Sequence, residues 1–400
     1  MTSRERVRKV LQHEIPDRVP NGLGGCEITG IHAFNYDLLH KIFNLPKQAT
    51  RINSWMVTSV FENELIKAME GDVMLIASPQ YCPSPLRGKT ALNQWKEQKL
   101  WGKTFRVAVS DQLETRNDGS ILWKNRGLAC PKSGFYFDEP NASDFLADFD
   151  YPDPENYNPS DPFTDEYLRD LETVAKELYE ETEYSLCLGE TLEGFRFKPC
   201  GRVGWMILVK ENPDLMKAYL EKACAASLKQ VSLIGQAVGK YVDMMAICDD
   251  MGDNMGVILG EQTWREIYKP FYKRLFQGWH EKTSMKVLLH SCGSIHTILD
   301  DLIECGVDIY NPVQISANNM DPEILKAKFG KRLVFYGGDY TAQMVKDCNY
   351  NEVYEHVKKY LTVLKKDGGH IFCGMHNLPP EMSEEHLKAF FAAWMDHRDY

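Results

Sequence analysis

The sequence predicts an α/β protein in which eight parallel strands, each followed by a helix, close into a (β/α)8, or TIM, barrel. Eight short apolar runs, bounded mostly by Gly, Pro, Asp or Asn, are separated by amphipathic helical stretches. No Gly-rich dinucleotide-binding loop follows any of these runs, which disfavours the alternative, a doubly wound open sheet. The chain has 400 residues, 44% of them apolar, which is enough for the large core of a barrel.

The predicted strands are short segments, several of them rich in β-branched and aliphatic residues. They cover residues 18–22, 72–78, 184–189, 241–248, 285–290, 307–313, 333–336 and 370–373. The helices between them are predicted from apolar stripes and capping residues. Asn212 and Pro213 are typical of the N-cap and first position of a long helix. Ser294 is expected to cap a shorter helix that ends at Gly306. Further helices are predicted at about 261–281, 321–329, 351–366 and 384–396.

The connection between the second and third strands, residues 79–183, is far longer than a normal loop and must carry structure of its own. Two β-rich runs, 104–109 and 120–124, flank the turn sequence 116–119 and predict a hairpin. An acidic, proline-bearing stretch follows, and then a helix near 166–181. We expect this insertion to form a lid or subdomain over the mouth of a single TIM-barrel domain, residues 1–400.

The composition argues against several classes of protein. The net charge of −11, without a Lys/Arg cluster, disfavours a nucleic-acid-binding protein. No run of about 18 apolar residues predicts a membrane span, and no apolar stretch near the N-terminus predicts a signal peptide. The 11 cysteines form no disulfide framework, which is typical of a reducing cytosol, so we expect a cytoplasmic protein.

His290 and Cys292 are the strongest candidates for a functional site. Residues i and i+2 of a strand point to the same face, so the two side chains should converge just before Gly293 ends the strand. Cys373 ends the eighth predicted strand before Gly374 and should reach the same carboxyl-end face, where barrels of this kind carry out chemistry. Two thiolates and one imidazole suit zinc with one coordination position open. The sequence therefore predicts His290, Cys292 and Cys373 as zinc ligands and catalytic residues.

A single Cys or His on an apolar strand is usually core filler, so this prediction depends on the spacing of the pair and on the matching position of the third residue. The fourth ligand stays open between water, substrate and a carboxylate at another strand end. The carboxylate candidates are Glu190, Glu193, Asp249 and Asp250. For each of them a solvated loop position or a helix cap is the simpler interpretation.

Polar residues that follow other predicted strands are expected at the same rim and are predicted to bind substrate. They are Asp249, Asn311, Gln314, Asp339 and Asn377. Loops at a barrel mouth are polar in any case, so each of them has the alternative of a loop residue that does not touch substrate. His376 lies beside Asn377 at this rim, and His296 is expected to be structural.

The sequence resembles the uroporphyrinogen decarboxylase superfamily, and specifically its zinc-dependent corrinoid methyltransferase branch. Residues 4–11 and 16–20 are similar to the N-terminal signature of that superfamily. The His-x-Cys-Gly motif at 290–293, with Cys373 further on, is similar to the zinc motif of methylcobamide:coenzyme M methyltransferases, and it also resembles that of the methyltransferase domain of methyl chloride dehalogenation. Residues 336–340 resemble the seventh-strand loop. The likeness covers nearly the whole chain, with the insertion as the main departure.

Uroporphyrinogen decarboxylation itself is not expected. The decarboxylase carries an arginine-rich loop after its first strand to hold substrate carboxylates, whereas residues 21–29 of this chain contain no arginine. An acidic site without that clamp would bind a polyanionic porphyrinogen poorly.

The resemblance instead implies methyl transfer to or from a corrinoid on a separate protein that docks transiently at the barrel mouth. This chain has no Asp-x-His-x-x-Gly pattern for holding cobalamin itself. In one direction, as in coenzyme M methylation, zinc presents a thiol to methylcobalamin. In the other, which we expect, zinc activates a small methyl donor and the corrinoid cobalt accepts the methyl group.

An aromatic methyl ether is the expected donor, with O-demethylation as the reaction, because aromatic residues in or beside the insertion could cover a flat substrate. They are Tyr81, Trp95, Trp101, Phe105, Trp123, Phe135, Tyr136 and Phe137. The alternative for these residues is the core of the subdomain itself. The alternative for the whole chain is a non-catalytic zinc-stabilised or corrinoid-binding accessory protein.

Overall fold

A parallel sheet of seven strands forms the centre of the molecule. The computed structural model describes residues 1–53, 56–76, 95–138, 153–159, 163–195, 201–341 and 344–400, with side chains at all of these except 193, 201–203, 345 and 346. The strands in chain order are β1 (Ile52–Asn53), β2 (Thr58–Ser59), β3 (Val73–Ile76), β4 (Trp95–Leu100), β5 (Lys103–Ala108), β6 (Leu113–Thr115), β7 (Ile121–Trp123), β8 (Leu128–Cys130), β9 (Ser185–Glu193), β10 (Met244–Cys248), β11 (Lys286–His290), β12 (Ile309–Asn311), β13 (Val334–Tyr336) and β14 (His370–Ile371). The central sheet has the order β3-β9-β10-β11-β12-β13-β14, and all of its pairs are parallel.

A short segment, residues 20–22, closes this sheet into a ring. Asn21 forms parallel bridges to both sheet edges, at Gly71 beside β3 and at Phe372 after β14. The N–H of Gly22 donates to the carbonyl of Phe372 at 2.9 Å, and the N–H of Phe372 donates to the carbonyl of Pro20 at 2.9 Å. Pro20 has no N–H to donate, which keeps the pairing short. The predicted (β/α)8 fold is therefore confirmed, with its first strand reduced to a bridge.

A buried ion network ties this closing segment to the sheet. The carboxylate of Asp72, which is fully buried, lies 2.6 Å from Nη1 of Arg6 and 2.7 Å from Nη1 of Arg18. It also accepts the backbone N–H of Asn21 at 2.8 Å. Arg6 additionally pairs with Asp17 at 2.6 Å. The N-terminal signature seen in the sequence thus serves to close the barrel.

The helices lie between the strands of the ring and around it. They are α1 (Ser3–Leu11), α2 (Tyr36–Ile42), α3 (Asn63–Ala68), α4 (Asp165–Glu181), α5 (Gly201–Glu211), α6 (Pro213–Val238), α7 (Glu261–Ile267), α8 (Lys269–Lys282), α9 (Leu299–Cys305), α10 (Pro322–Phe329), α11 (Met344–Asp347), α12 (Tyr350–Lys365) and α13 (Glu384–His397). Among the helices in the described ranges, none combines the length and apolar character needed to cross a membrane.

Local chemistry explains where several helices begin and end. The Asn212 side chain accepts the N–H of Leu215 at 3.1 Å and caps α6, as the sequence predicted. The single helix expected at 261–281 is instead α7 and α8, because Pro270 has no N–H with which to continue one helix into the next. Ser294 does not cap α9, which begins five residues later after a short 3-10 turn and ends, as predicted, at Gly306 with φ +116°.

The insertion carries two small antiparallel sheets. β4 pairs with β5 through a tight turn at Trp101 and Gly102, whose φ angles are +48° and +75°. The turn sequence 116–119 joins β6 to β7, and β8 adds to β7. The predicted pairing of 104–109 with 120–124 was therefore wrong, because β5 already pairs with the polar strand β4. The helix predicted near 166–181 is α4, which packs against α6 in the outer layer of the barrel.

A second hydrophobic core holds the insertion together, separate from the core of the barrel. Phe105, Trp123 and Phe137 are between 1% and 8% exposed within it. The alternative interpretation, a core of the subdomain itself, therefore holds for these three residues. Trp95, Trp101 and Phe135 are half-buried, Tyr136 is exposed, and Tyr81 lies outside the described residues.

Candidate metal centre

His290 stands at the carboxyl end of β11, in the middle of the central sheet. The strand register places Cys248 of β10 beside it on one side and Asn311 of β12 on the other. The preceding apolar residues of β11 are buried, and His290 itself is only 2% exposed. The strand thus brings one imidazole to the barrel mouth between two polar neighbours.

The amide of Asn311 fixes which nitrogen of His290 is available to a ligand. Its Nδ2 donates to the carbonyl of Tyr336 at 2.8 Å, so its oxygen faces Nδ1 of His290 at 2.5 Å. An amide oxygen can only accept, so Nδ1 carries the proton and Nε2 holds the lone pair. Metal-binding histidines are commonly oriented in this way by a neighbouring acceptor.

Cys292 meets His290 at that lone pair. Its Sγ lies 3.3 Å from Nε2 of His290, although the strand has already ended at His290. The loop is held by the carboxylate of Asp250, which accepts the Cys292 N–H at 2.9 Å, and by Gln314, which accepts the Gly293 N–H at 2.7 Å. Gly293 has φ +84°, and a Cβ there would lie 2.5 Å from the backbone of the neighbouring loop. Only glycine lets the two loops approach this closely.

His376 supplies the third ligand candidate. The ligand atoms of His290, Cys292 and His376 all lie within 4.8 Å of one another, and the two imidazole rings meet edge to face at 5.2 Å. The Asn377 N–H donates to Nδ1 of His376 at 2.8 Å. Burial, together with the neighbouring His290, lowers the pKa of His376 to about 3, so its imidazole is neutral at neutral pH, as a metal ligand must be.

Cys373, predicted as the third ligand, is not part of this group. Its thiol is fully buried and lies 3.5 Å from the carbonyl oxygen of Thr29. Burial is the main cause that raises the pKa of this thiol well above its usual value, which disfavours a thiolate. β14 ends at Ile371, so the alternation assumed for 370–373 does not extend to Cys373. The chain turns at Gly374, and the third side chain beside His290 and Cys292 is His376, three residues further on.

A second, overlapping group shares His290. Cys248 and Asp250 offer ligand atoms within 4.8 Å of it and of each other, and Oδ1 of Asp250 lies 3.7 Å from Nε2 of His290. Of the four carboxylates considered for a fourth ligand, Asp250 is the one that the structure brings to this site. Asp249 accepts the Phe195 N–H at 2.7 Å and a hydrogen bond from Tyr272, so it serves the barrel wall. Glu190 is in neither group, and the Glu193 side chain lies outside the described part of the chain.

The other residues predicted to bind substrate hold the loops of the rim. Asn311 orients His290, and Gln314 links Gly293 to Asn254. Asp339 is fully buried, lies 3.1 Å from Nε2 of His370 and accepts the Cys373 N–H at 3.2 Å. Asn377 accepts the Gly30 N–H at 2.6 Å. Contact of any of these side chains with substrate stays a prediction.

Sequence reasoning identified His290 and Cys292 but assigned no metal role to His376 or Cys248. For Cys248 a signal existed, because it ends a predicted strand adjacent to the one that His290 ends. For His376 the sequence offers only a polar residue shortly after the last strand, and its approach depends on the turn at Gly374.

The donor set fits zinc. Zinc bonds of ~2.0–2.1 Å to nitrogen and ~2.3 Å to sulfur, at a tetrahedral angle, set their donor atoms about 3.5 Å apart. The observed separation of 3.3 Å between Nε2 of His290 and Sγ of Cys292 is close to this value. Two imidazoles and one thiolate leave a fourth position for Asp250, water or substrate.

Comparisons with known proteins agree with this architecture. Residues 201–397, which carry β10 to β14 and every residue of the two metal groups, match the uroporphyrinogen decarboxylase (URO-D) family. A methyltransferase from Methanosarcina mazei has the same fold, with a TM-score of 0.57 and 16% identity over 99% of each chain. A β-glucosidase from Pyrococcus furiosus (TM-score 0.36, 12% identity, 89% of this chain and 93% of that one) is too distant to support any argument. No curated protein sequence matches this chain. Residues 201–397 thus match the family that the sequence was found to resemble, and the fold of the whole chain is shared with a methyltransferase.

Proposed function

We propose that this protein is a zinc-dependent methyltransferase that moves a methyl group between a small molecule and the cobalt of a corrinoid on a separate protein. The observation that carries the proposal is the convergence of His290, Cys292 and His376 at the carboxyl ends of the barrel strands. Membership of residues 201–397 in the URO-D family and the fold shared with a methyltransferase support the class of reaction.

The side chains around the site are suited to hold zinc and a substrate heteroatom. Bound zinc would act as a Lewis acid that stabilises a thiolate or a departing oxygen. His290 and His376 offer neutral nitrogens, and Cys292 offers one sulfur. One thiolate against two metal charges leaves a net positive site, which favours an anionic thiolate or phenolate. Asp250, 32% exposed and 3.7 Å from Nε2 of His290, is placed to accept or return the proton of that group.

Two directions of transfer are compatible with this arrangement. In the first, an aromatic methyl ether gives its methyl group to the corrinoid. The half-buried Trp101 and Phe135 of the insertion are compatible with such a flat donor, although neither belongs to the metal groups. In the second, a thiol accepts a methyl group from methylcobalamin, which the thiolate-stabilising site supports equally well. Because Phe105, Trp123 and Phe137 form the core of the subdomain, the aromatic argument is carried by fewer residues than the sequence suggested.

The test is a visible spectrum of the corrinoid cobalt during turnover. Zinc-loaded protein is given cobalt(I) corrinoid with a panel of methoxyarenes and methylamines, or methylcobalamin with a panel of thiols. We expect a change in cobalt alkylation with one panel and at least a hundredfold loss of rate in the Cys292→Ser variant. The absence of methyl transfer with both panels, in protein that retains its zinc and its fold, would overturn the proposal in favour of an accessory protein. Uroporphyrinogen is included as a separate substrate, and its decarboxylation would assign the other activity of the family.

A further inference from the structure

The insertion forms a cleft of its own, outside the metal centre. The cleft has a volume of about 640 Å³ and lies between the small sheets and the segment that follows the barrel-closing residues. Phe34, Trp101 and Phe135 line it, together with Lys99 and Lys132. Its volume falls within the range of ~300–1,000 Å³ typical of small-molecule sites.

Three half-buried aromatic rings form the walls of this cleft, and two of them, Phe34 and Trp101, also pack with one side against the core of the subdomain. The ring of Phe34 lies 5.5 Å from that of Trp101 and 5.8 Å from that of Phe135, both in edge-to-face contact. All three side chains are half-buried, whereas Trp123 in the core of the same subdomain is 1% exposed. Clustered aromatic surface that is left open in this way is typical of a binding site.

The cleft is also positively charged in an acidic protein. Lys99 and Lys132 line it, and the ammonium group of Lys103 lies 5.2 Å from the centre of the Phe34 ring. Within the described ranges, no carboxylate lies at ion-pairing distance from these three lysines. The nearby Glu114 is paired with Lys124. The whole chain carries a net charge of −11, so this local excess of ammonium groups runs against the charge of the whole protein.

We propose that this cleft binds a planar aromatic anion. The ring would stack among Phe34, Trp101 and Phe135, and its carboxylate or other anionic group would face Lys99 and Lys132. No lining residue belongs to the metal groups, although Phe34 follows His32, whose N–H donates at 2.9 Å to the carbonyl of Leu378 in the loop that carries His376. The proposal concerns binding alone and does not rest on methyl transfer.

Calorimetric titration of the full chain with three matched compounds tests this assignment. The probe is 2-naphthoate, and 2-naphthamide and cyclohexanecarboxylate remove its charge and its aromaticity in turn. We expect 2-naphthoate to bind at least about tenfold more tightly than either analogue, and its affinity to fall as salt is added. Lys132→Gln and Lys99→Gln should each weaken binding severalfold, and Trp101→Leu about tenfold. The exposed Lys331, at the opposite end of the strands, provides the control variant Lys331→Gln, which should bind normally.

Equal binding of the three compounds, or unchanged affinity in both lysine variants, would overturn the proposal. The two exposed lysines can be replaced without disturbing the subdomain core, so a folding defect in Trp101→Leu would not obscure the result. If 2-naphthoate does not bind at all, the assignment to an aromatic anion is wrong.

Discussion

At the scale of single residues, the site depends on a relay that begins at the backbone. The carbonyl of Tyr336 orients the amide of Asn311, and that amide orients the imidazole of His290. Each step uses a group that can only accept or only donate at that position, so one tautomer of His290 is selected before any ligand arrives. The lone pair that faces Cys292 is therefore preorganised by the neighbouring strands β12 and β13.

Substitution of His376 and substitution of Cys373 should have different effects on zinc affinity. We expect His376→Ala to lower zinc affinity by about 100-fold or more, since even second-layer partners contribute about 10–100-fold. Cys373→Ala should keep near-normal affinity, because its thiol faces Thr29 and lies outside the metal group. Competition for zinc with a chromophoric chelator measures both variants. If Cys373→Ala lost more zinc affinity than His376→Ala, Cys373 would be the ligand, as the sequence predicted.

Removal of the Asn311 amide should weaken zinc binding without removing a ligand. In Asn311→Ala, His290 loses the acceptor that holds the proton on Nδ1, and we expect a loss of about 10–100-fold in affinity. Asn318→Ala changes an exposed asparagine of the same connection and is the matched control. Unchanged affinity in Asn311→Ala, with metal content measured after dialysis, would show that the relay has no part in binding.

The residues that could be predicted from sequence are those placed by regular alternation. His290 was found because it ends a buried strand, and Cys292 because it follows at a spacing that keeps both side chains on one face. The third side chain of the group, His376, could not be found in this way, because β14 has only two residues and the chain then turns at Gly374. A side chain that reaches the site from a turn depends on local φ and ψ angles that a periodic pattern does not contain.

At the scale of secondary-structure elements, one carboxylate, that of Asp72, holds the N-terminal segment against the sheet. Asp72 precedes β3 and holds two guanidinium groups and the N–H of Asn21, so α1, the closing segment and the sheet meet at a single buried side chain. A carboxylate in such a position stabilises the fold only while its partners are present, because burial of either charge alone is unfavourable.

Asp72→Asn should therefore destabilise the fold strongly. The substitution preserves shape but leaves Arg6 and Arg18 with a neutral partner, and loss of one member of a buried pair costs about 3–5 kcal/mol. Urea unfolding followed by circular dichroism measures the change. Asp17→Asn, which removes a partly exposed partner of the same Arg6, should cost much less. Similar losses in the two variants would show that the buried position of Asp72 has no special role.

The Asp17 pair also predicts a dependence of stability on pH. The hydrogen bond from Arg6 is the main cause that lowers the pKa of Asp17 from 3.8 to about 2. A depressed carboxyl pKa adds stability above the unfolded value, and this contribution is lost as the pH falls toward the folded value. Asp17→Asn should thus flatten the decline of stability between roughly pH 4 and 2. Acid unfolding of the unchanged protein and of Asp17→Asn is followed by tryptophan fluorescence. An equal decline of stability with falling pH in both would contradict this prediction.

The barrel elements were predictable to a greater degree than those of the insertion. Strands β10 to β13 are mostly apolar, as buried parallel strands usually are, and α6 has a side-chain cap at Asn212. β4 has the sequence Trp-Lys-Glu-Gln-Lys-Leu, whose polar character hid its pairing with β5. A strand that is stabilised by pairing with its partner and not by burial has no apolar pattern from which it could be predicted.

At the scale of the whole molecule, the residues of the two candidate sites are supported by two separate hydrophobic cores. The barrel core supports the candidate metal centre, and the smaller core of the insertion supports the aromatic cleft. The smaller core also contains Ile52 and Val57, from the connection that precedes β3, so the insertion is packed against a segment of the barrel. The fold class followed from the repeated strand–helix pattern, whereas this packing of distant segments could not be read from periodicity.

Trp123→Ala should loosen the insertion and leave the barrel folded. Removal of a large buried ring costs about 3–5 kcal/mol, and here the loss falls on the smaller core. We expect faster proteolytic cleavage within residues 95–138 and weaker binding in the aromatic cleft, with zinc affinity unchanged. Trp279→Ala, at an equally buried position of the barrel core, should instead lower the cooperative unfolding transition of the whole protein. A common loss of both sites in Trp123→Ala would indicate a single cooperative unit.

The bridge at Asn21 has a consequence for biogenesis. This residue joins the part of the ring that is made first to Phe372, which is made only after the other strands of the central sheet. Until then, the nascent sheet has two edges with unpaired amide and carbonyl groups, at Asn21 and at its last-made strand, and such edges are a known template for aggregation. Ribosome-associated chaperones that shield such borders should consequently matter most until Phe372 has been made, and a premature stop just before Phe372 should yield insoluble product even though most of the described helices and strands are already present.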